Sequence, residues 1–241
     1  MKIPDTIHIL GLSTNKPAIT NMVAEVGRIG RKSDVFVNIT SKWDQICCKG
    51  LGSGWLTSYM RKPKAFSCTR GHYHIAKAFS DLGDESVWIV EDDARFLLDV
   101  DRVNDTLNNA PADADILILD SIYIDFHTPT VCINKAKEAK NGWWKITGND
   151  DVRSSGNHIF SNRAARLFAD ILSGKNGSVP AVDTVRNHKF FPSDFGIYVA
   201  YPNLSIQRKD VNNERIHMSS MDVATDRYIR QGLDLNDYAG W

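Results

Sequence analysis

Two uninterrupted apolar runs, V-W-I-V at residues 87–90 and I-L-I-L at residues 116–119, constrain the fold of this chain more than any other feature. A strand with one wetted face alternates apolar and polar residues, whereas a strand covered on both faces is apolar throughout. Segments with helical spacing of apolar residues separate the early strands, among them residues 16–29 and 68–82. This β-α-β order predicts an α/β fold, with a mostly parallel sheet and helices on both faces.

Other segments extend this prediction along the chain. Apolar and β-branched runs predict strands at 6–12, 34–39, 143–146, 157–160 and 197–201, and helical spacing predicts helices at 103–109, 163–172 and 223–231. Residues 40–63 and most of 121–154 show neither period, so we expect irregular loops there.

Length and charge exclude several classes of protein. The chain has 241 residues, 42% of them apolar and 24% charged, which suits one large α/β domain or two small ones. Its formal net charge is zero, so it lacks the overall basic footprint that is usual for nucleic-acid binders. No signal peptide and no run of 18 uncharged apolar residues is found, and we therefore expect no transmembrane segment.

The four cysteines, at positions 47, 48, 68 and 132, show no C-x-x-C spacing of the kind typical of zinc sites. With no sign of secretion, we expect all four to be reduced thiols in a cytoplasmic protein. Disulfide bonds are therefore not expected to stabilise the fold.

Three carboxylates, Glu91, Asp92 and Asp93, directly follow the apolar run at 87–90. In open α/β sheets, ligands bind beyond the carboxyl ends of the strands. Adjacent carboxylates repel one another unless a positive charge lies among them. Mg²⁺ and Mn²⁺ prefer such oxygen ligands and keep positions open for phosphate groups. The acidic triplet therefore predicts a divalent metal that bridges a diphosphate and stabilises it as a leaving group.

Two other interpretations of the acidic triplet remain open at this point. Acidic residues at the end of a strand often cap a following helix or simply face solvent. Alternatively, Arg70 and Arg95 neutralise the three carboxylates in a salt-bridge network.

The segments C-T-R-G-H-Y-H-I-A-K-A-F (68–79) and W-I-V-E-D-D-A-R-F (88–96) resemble glycosyltransferase family 25, which includes lipooligosaccharide and collagen galactosyltransferases. Members of that family carry a cysteine and, four residues later, a histidine at the start of a helix, matched here by Cys68 and His72. After a short gap, an apolar strand ends in E-D-D. In place of the family's arginine-rich loop after the first strand, this chain has G-L-S-T-N-K-P at 11–17.

Weaker similarity to the family extends over roughly residues 5–205. The resemblance implies a GT-A (Rossmann-like) fold in a single domain over 1–241. Residues 1–120 would form the nucleotide-sugar-binding half, and residues 121–241 the acceptor half with a C-terminal loop.

The resemblance also implies an activity. A hexosyl- or pentosyltransferase of this kind moves a sugar from a nucleotide sugar, commonly a UDP-sugar in the family, to an acceptor hydroxyl with inversion. We expect a carbohydrate acceptor, such as lipopolysaccharide or another surface glycan.

Roles near the donor follow from the resemblance. Asp93 is expected to coordinate Mn²⁺ or Mg²⁺ directly, and Asp92 to assist through the metal or a water. Glu91 is expected to contact the ribose or orient its loop. His72 is expected to contact the donor or anchor the loop, with a purely structural histidine as an equal alternative. The expected nucleotide-sugar site comprises Lys16, His72, Glu91, Asp92 and Arg95.

Inversion requires a base that removes the acceptor proton. Asp183, in A-V-D-T, matches a family element, although the N-cap of a short helix is an equal interpretation. Asp194, in F-P-S-D-F, is the second candidate, with an ordinary turn residue as the alternative. His217 is a candidate third metal ligand, because several GT-A enzymes recruit one near the C-terminus, and a histidine without a role in a polar tail is the alternative.

Two other functions stay open. Compact GT-A enzymes also glycosylate hydroxymethylated bases in phage DNA, and the basic loop Y-M-R-K-P-K (59–64) suits an anionic acceptor, although the neutral net charge opposes it. The other is a non-catalytic binding module, favoured by the missing arginines at 11–17 and opposed by the intact acidic triplet. Trp143 and Trp144 form either a sugar-stacking platform or part of the core.

Overall fold

A computed structural model shows a seven-stranded sheet covered by helices on both faces. The structure describes residues 1–12, 16–38, 63–96, 100–120, 139–147, 150, 152, 156–173, 180, 182, 185, 188–201 and 203–207. Residues 40–62 of the predicted loop and the predicted helix at 223–231 lie outside these described residues.

The described residues contain nine strands: β1 Thr6–Leu12, β2 Lys32–Asn38, β3 Ser86–Glu91, β4 Ala94–Phe96, β5 Ala114–Ile118, β6 Trp143–Lys145, β7 Asn157–Ser161, β8 Gly196–Ala200 and β9 Ser205–Gln207. Seven form one sheet in the order β2-β1-β3-β7-β5-β8-β6, and β4 pairs with β9 separately. Strands β1, β2, β3, β5 and β8 share one direction, while β6 and β7 are antiparallel to their neighbours. The sheet is therefore mostly parallel, as the apolar runs predict.

The described residues also contain four helices: α1 Lys16–Arg28, α2 Pro63–Leu82, α3 Val100–Asn108 and α4 Asn162–Leu172. Helix α2 begins earlier than its predicted start at residue 68. Its first residue, Pro63, suits that position because the first N–H groups of a helix have no partner within it. Ser161 caps α4, since its side chain accepts a hydrogen bond from the N–H of Ala164 at 3.3 Å.

Side chains alternate between two cores along the central strands. In β3, Val87 and Ile89 pack into a core with α2 and α4, whereas Trp88 and Val90 pack into a second core with α1 and α3. Residues 116–119 alternate between the same two cores. Full burial of each such side chain contributes about 1.5–3 kcal/mol to the stability of the fold. The helices therefore stabilise both faces of the sheet.

Because five strands share one direction, their carboxyl ends meet along one side of the sheet, here called the carboxyl edge. The opposite side is the amino edge. Strand β3 lies inside the sheet, between β1 and β7, and β7 begins at the carboxyl edge because it is antiparallel to β3. Among the described residues, no helix is both long and apolar enough to cross a lipid bilayer.

Candidate functional site

The acidic triplet lies at the carboxyl edge, where backbone hydrogen bonds hold it to two neighbouring segments. Glu91 is the last residue of β3, and Asp92 and Asp93 form the turn into β4. The N–H of Glu91 donates to the carbonyl of Gly156 at 2.7 Å. The N–H of Asp92 donates to the carbonyl of Leu10, in β1, at 3.0 Å. The backbone of the triplet is therefore fixed to the sheet by hydrogen bonds.

A fourth carboxylate, Asp120, lies at the same edge, just after β5. Its Oδ1 accepts a hydrogen bond at 2.9 Å from the N–H of Asn157, the first residue of β7. The fully buried Asn157 side chain accepts from Trp88 Nε1 at 2.7 Å and donates to Ser205 Oγ at 2.9 Å. This network ties β3, β7 and β9 together beside the acidic residues.

The Asp93 carboxyl group lies where a negative charge is poorly solvated. Burial raises the pKa of Asp93 well above its usual value, and the negative charges of Glu91, Asp92 and Asp120 raise it further. Its Oδ1 is shielded from solvent and makes no hydrogen bond within the described part of the chain. A buried oxygen without a partner costs about 1–3 kcal/mol, so a ligand that supplies positive charge would stabilise this group.

The donor atoms at this edge suit a hard divalent cation. Asp92 is buried, and its Oδ2 lies near Gly11, where an added Cβ would be 3.2 Å from that oxygen. Carboxylate oxygens are the ligands that Mg²⁺ and Mn²⁺ prefer, and a cation among them removes the repulsion between the carboxylates. The residues that could hold such an ion are Asp92, Asp93 and Asp120.

The Glu91 side chain is bound by two residues of α2. Its Oε1 accepts a hydrogen bond from Cys68 Sγ at 3.3 Å and lies within hydrogen-bond distance of His72 Nε2, at 3.0 Å. His72 is fully buried, and its ring stacks on that of His158 in β7, with the two centroids 5.1 Å apart. These contacts favour a loop-anchoring role for His72, and a loop-orienting role for Glu91, over direct contact with a donor.

The other predicted site residues fall in separate places. Lys16 is the exposed first residue of α1, which begins just after the carboxyl end of β1. Arg95 lies in β4, close in sequence to the acidic triplet. Asp183, His217 and most of the basic loop at 59–64 lie outside the described residues.

Asp194 lies at the amino edge, just before β8. Its Oδ2 accepts a hydrogen bond from Arg163 Nη1 at 3.1 Å, and Arg163 Nε donates to Asp115 Oδ1 at 2.7 Å. The structure therefore does not bring Asp194 together with the acidic triplet. Its ion pair with Arg163 joins the start of β8 to α4 and accounts for a carboxylate at this position.

Trp143 and Trp144 belong to the core. Their exposed fractions are only 3% and 7%, and Trp143 Nε1 donates to the carbonyl of Thr106 in α3 at 2.9 Å. Neither ring offers an open face to a sugar, so core packing is the correct interpretation of this pair.

Sequence reasoning did not single out Asp120 or Asn157. Asp120 closes the apolar run at 116–119, so the strand-end rule that identified the acidic triplet applies to it as well. Asn157 carries no comparable signal, because its partners Trp88, Asp120 and Ser205 are far away in sequence.

We expect Gly11→Ala to destabilise the protein by about 1 kcal/mol or more through overpacking. A Cβ at residue 11 would lie 2.5 Å from Cγ1 of Ile19 and 3.2 Å from Oδ2 of Asp92, so the side chains of Ile19 and Asp92 would have to shift. Urea denaturation measures the loss. Gly27→Ala is the matched control: an added Cβ there meets nothing within 4 Å, and alanine is the better helix former. Equal stability of the two variants would contradict this packing argument.

Several solved structures are similar to this chain at low identity. A glycosyltransferase involved in the glycosylation of the major capsid of PBCV-1 is 12% identical, with a TM-score of 0.46 over 87% of this chain and 98% of that chain. The mannosyltransferase PcManGT from Pyrobaculum calidifontis, in complex with GDP-Man and Mn²⁺, is 13% identical, with a TM-score of 0.44 over 100% of this chain and 66% of that chain. The glycosyltransferase GlyE from Streptococcus pneumoniae TIGR4 is 9% identical, with a TM-score of 0.42 over 95% of this chain and 64% of that chain.

No protein-family model and no curated protein matches the chain. The resemblance to glycosyltransferase family 25 therefore stays a prediction. Because the similarity is this low, a function for this chain has to be argued from its own residues.

Proposed function

We propose that the chain is a metal-dependent glycosyltransferase of the GT-A type, which moves a sugar from a nucleotide sugar to an acceptor hydroxyl with inversion. One observation carries the proposal. Four carboxylates meet at the carboxyl edge, and one of them, Asp93, has a buried oxygen without a hydrogen-bond partner in the described part of the chain. Such a cluster repels a diphosphate by itself and attracts it once a divalent cation is bound.

Different roles are proposed for the members of the acidic triplet. Asp93 and Asp92 hold the divalent ion, with Asp120 close by. When bound, that ion supplies positive charge to the diphosphate leaving group. Glu91, whose carboxylate is held by Cys68 and His72, fixes the direction in which the triplet leaves β3.

The acceptor side requires a base, because inversion is a single in-line displacement. Asp183 is the proposed base on the strength of its match to the family element A-V-D. UDP-sugars are the proposed donors, with Mn²⁺ or Mg²⁺ as the metal. Lys16 and Arg95 are proposed to face the nucleotide, and His217 to complete the metal site. A surface glycan such as lipopolysaccharide is the proposed acceptor.

We expect turnover of a nucleotide sugar to depend on the divalent ion. The protein is incubated with UDP-, GDP- and CMP-sugars plus Mn²⁺ or Mg²⁺, and the release of nucleotide is measured with and without an excess of chelator. One donor class should be hydrolysed or transferred, and chelator should lower the rate at least about 100-fold, because leaving-group stabilisation of this kind is worth several kcal/mol. Equal rates with and without chelator would contradict metal dependence.

A thermal-shift measurement separates an enzyme from a binding module that has kept only the fold. A donor that binds the folded state raises the melting temperature in either case. A melting-temperature rise with no release of nucleotide would identify the chain as a binding module and overturn the proposed catalysis.

A further inference from the structure

A thiol, an imidazole and a carboxylate converge between α2 and β3, next to the acidic triplet. Cys68 Sγ, His72 Nε2 and Glu91 Oε1 all lie within 4.8 Å of one another. Cys68 and His72 are one helical turn apart, so both side chains lie on the same face of α2 and point towards the same partner. The α2 face and the end of β3 together therefore present three potential metal ligands at one point.

Two of the three separations between the ligand atoms are close to those of a tetrahedral zinc site, and the third is within 4.8 Å. Zinc bonds of ~2.0–2.3 Å in tetrahedral geometry place neighbouring ligand atoms about 3.4–3.6 Å apart. The observed separations are 3.3 Å for Cys68 Sγ to Glu91 Oε1 and 3.0 Å for His72 Nε2 to the same oxygen. Shifts of a few tenths of an ångström would bring these two separations to the zinc values.

The chemistry of these ligands differs from that of the Asp92–Asp93 site. Thiolate and imidazole favour borderline-soft ions such as Zn²⁺, whereas an all-carboxylate set favours Mg²⁺ or Mn²⁺. The two sites therefore select different metals, even though Glu91 directly precedes Asp92 in the chain.

We propose that Cys68, His72 and Glu91 form a binding site for Zn²⁺ or an ion of the same class, separate from the divalent ion of the proposed sugar transfer. On binding, the thiol proton of Cys68 passes to solvent and its thiolate becomes a ligand. His72 coordinates through Nε2 as a neutral imidazole that carries its proton on Nδ1, and a ring protonated on both nitrogens releases its Nε2 proton to solvent. The three protein ligands leave a fourth position for water or another ligand. His72 is fully buried and Cys68 is half-buried, so the site is shielded but not sealed.

A bound ion would join α2 to the carboxyl end of β3. In its absence, the same atoms are held by hydrogen bonds to Glu91 Oε1. The site thus has two states, and the metal-bound state fixes Glu91 more rigidly because it replaces two hydrogen bonds by coordinate bonds.

Cobalt titration tests the proposal, because a thiolate bound to Co²⁺ gives a charge-transfer absorption in the near ultraviolet. The protein used carries serine at positions 47, 48 and 132, which leaves Cys68 as its only thiol. We expect the thiolate band to saturate at one Co²⁺ per chain and to be displaced by Zn²⁺. In otherwise unchanged protein, Cys68→Ser should weaken Zn²⁺ binding by more than ~100-fold, beyond the usual loss of an outer-shell partner.

Two outcomes would overturn the site: no thiolate band in the protein whose only thiol is Cys68, or equal Zn²⁺ affinity of Cys68→Ser and the unchanged chain. If the serine substitutions at 47, 48 and 132 prevent folding, the Zn²⁺ affinities of Cys68→Ser and the unchanged chain still test the site. Asp93→Asn keeps all three ligands, so it should keep the cobalt band. In that variant, sugar transfer can be lost while the cobalt band is kept. The two proposals are therefore tested by separate measurements and can fail independently.

Discussion

Asp93→Asn is expected to abolish nucleotide-sugar turnover and, at the same time, to raise the melting temperature of the metal-free protein. The substitution keeps the shape of the side chain and removes one negative charge from a group of four, whose repulsion and burial already raise the pKa of Asp93. Stabilisation of about 0.5–2 kcal/mol is expected, as for other changes that relieve strain at a functional site. Turnover should fall at least about 100-fold, because the proposed direct ligand for the ion is lost.

Thermal denaturation with chelator, and again with Mn²⁺, measures both effects. The unchanged chain should be the less stable protein in chelator and should gain stability with Mn²⁺, whereas Asp93→Asn should gain little. Asp194→Asn is the matched control, since it removes a carboxylate at the amino edge. It should keep its turnover and lose at most about 1 kcal/mol, the range for exposed ion pairs. A metal-free Asp93→Asn protein less stable than the unchanged chain would contradict the electrostatic argument.

This trade-off explains how the apolar run at 87–90 can end in three carboxylates. The strand supplies a rigid, buried support, and the acidic turn carries an electrostatic cost that the proposed cation would relieve. The cost falls on Asp93 in particular, because its carboxyl group is buried, whereas the Glu91 carboxylate is stabilised by Cys68 and His72.

The sequence predicts the fold well where one strand carries its own signal. The runs at 87–90 and 116–119 are apolar at every position because alternate residues enter different cores. The pairing of β4 with β9 and the antiparallel insertion of β7 between β3 and β5 carry no such signal. Both depend on contacts between segments far apart in the chain, and three-residue strands such as β4 are too short to show a period.

The candidate site is predictable to the same extent. The acidic triplet is contiguous, so the strand-end rule finds it, and Asp120 follows from the same rule once β5 is known. The partners of Glu91 depend on how α2 packs across the sheet, which spacing alone does not give. Asp194 illustrates the reverse case: its turn sequence suits either edge, and only the direction of β8 places it beside Arg163.

Asn157→Ala is expected to give the largest loss of stability among these variants, about 2–5 kcal/mol. The Asn157 side chain is fully buried, accepts from Trp88 Nε1 at 2.7 Å and donates to Ser205 Oγ at 2.9 Å. Alanine leaves both partners buried without a bond, at about 1–3 kcal/mol each, and adds a small cavity. Urea denaturation measures the loss. Turnover by the folded fraction should also fall, because the N–H of Asn157 positions Asp120 and a shift of β7 moves that carboxylate.

The matched control is Asn109→Ala, which removes an exposed side chain whose Nδ2 donates to the carbonyl of Asp105 at 2.8 Å. A change within about 0.5 kcal/mol is expected there, as for other surface positions. Ser205→Ala and the double variant complete a mutant cycle. Since the two residues share a buried hydrogen bond, the losses should be less than additive by about 0.5–3 kcal/mol. Strict additivity would contradict a stabilising role for the hydrogen bond between Asn157 and Ser205.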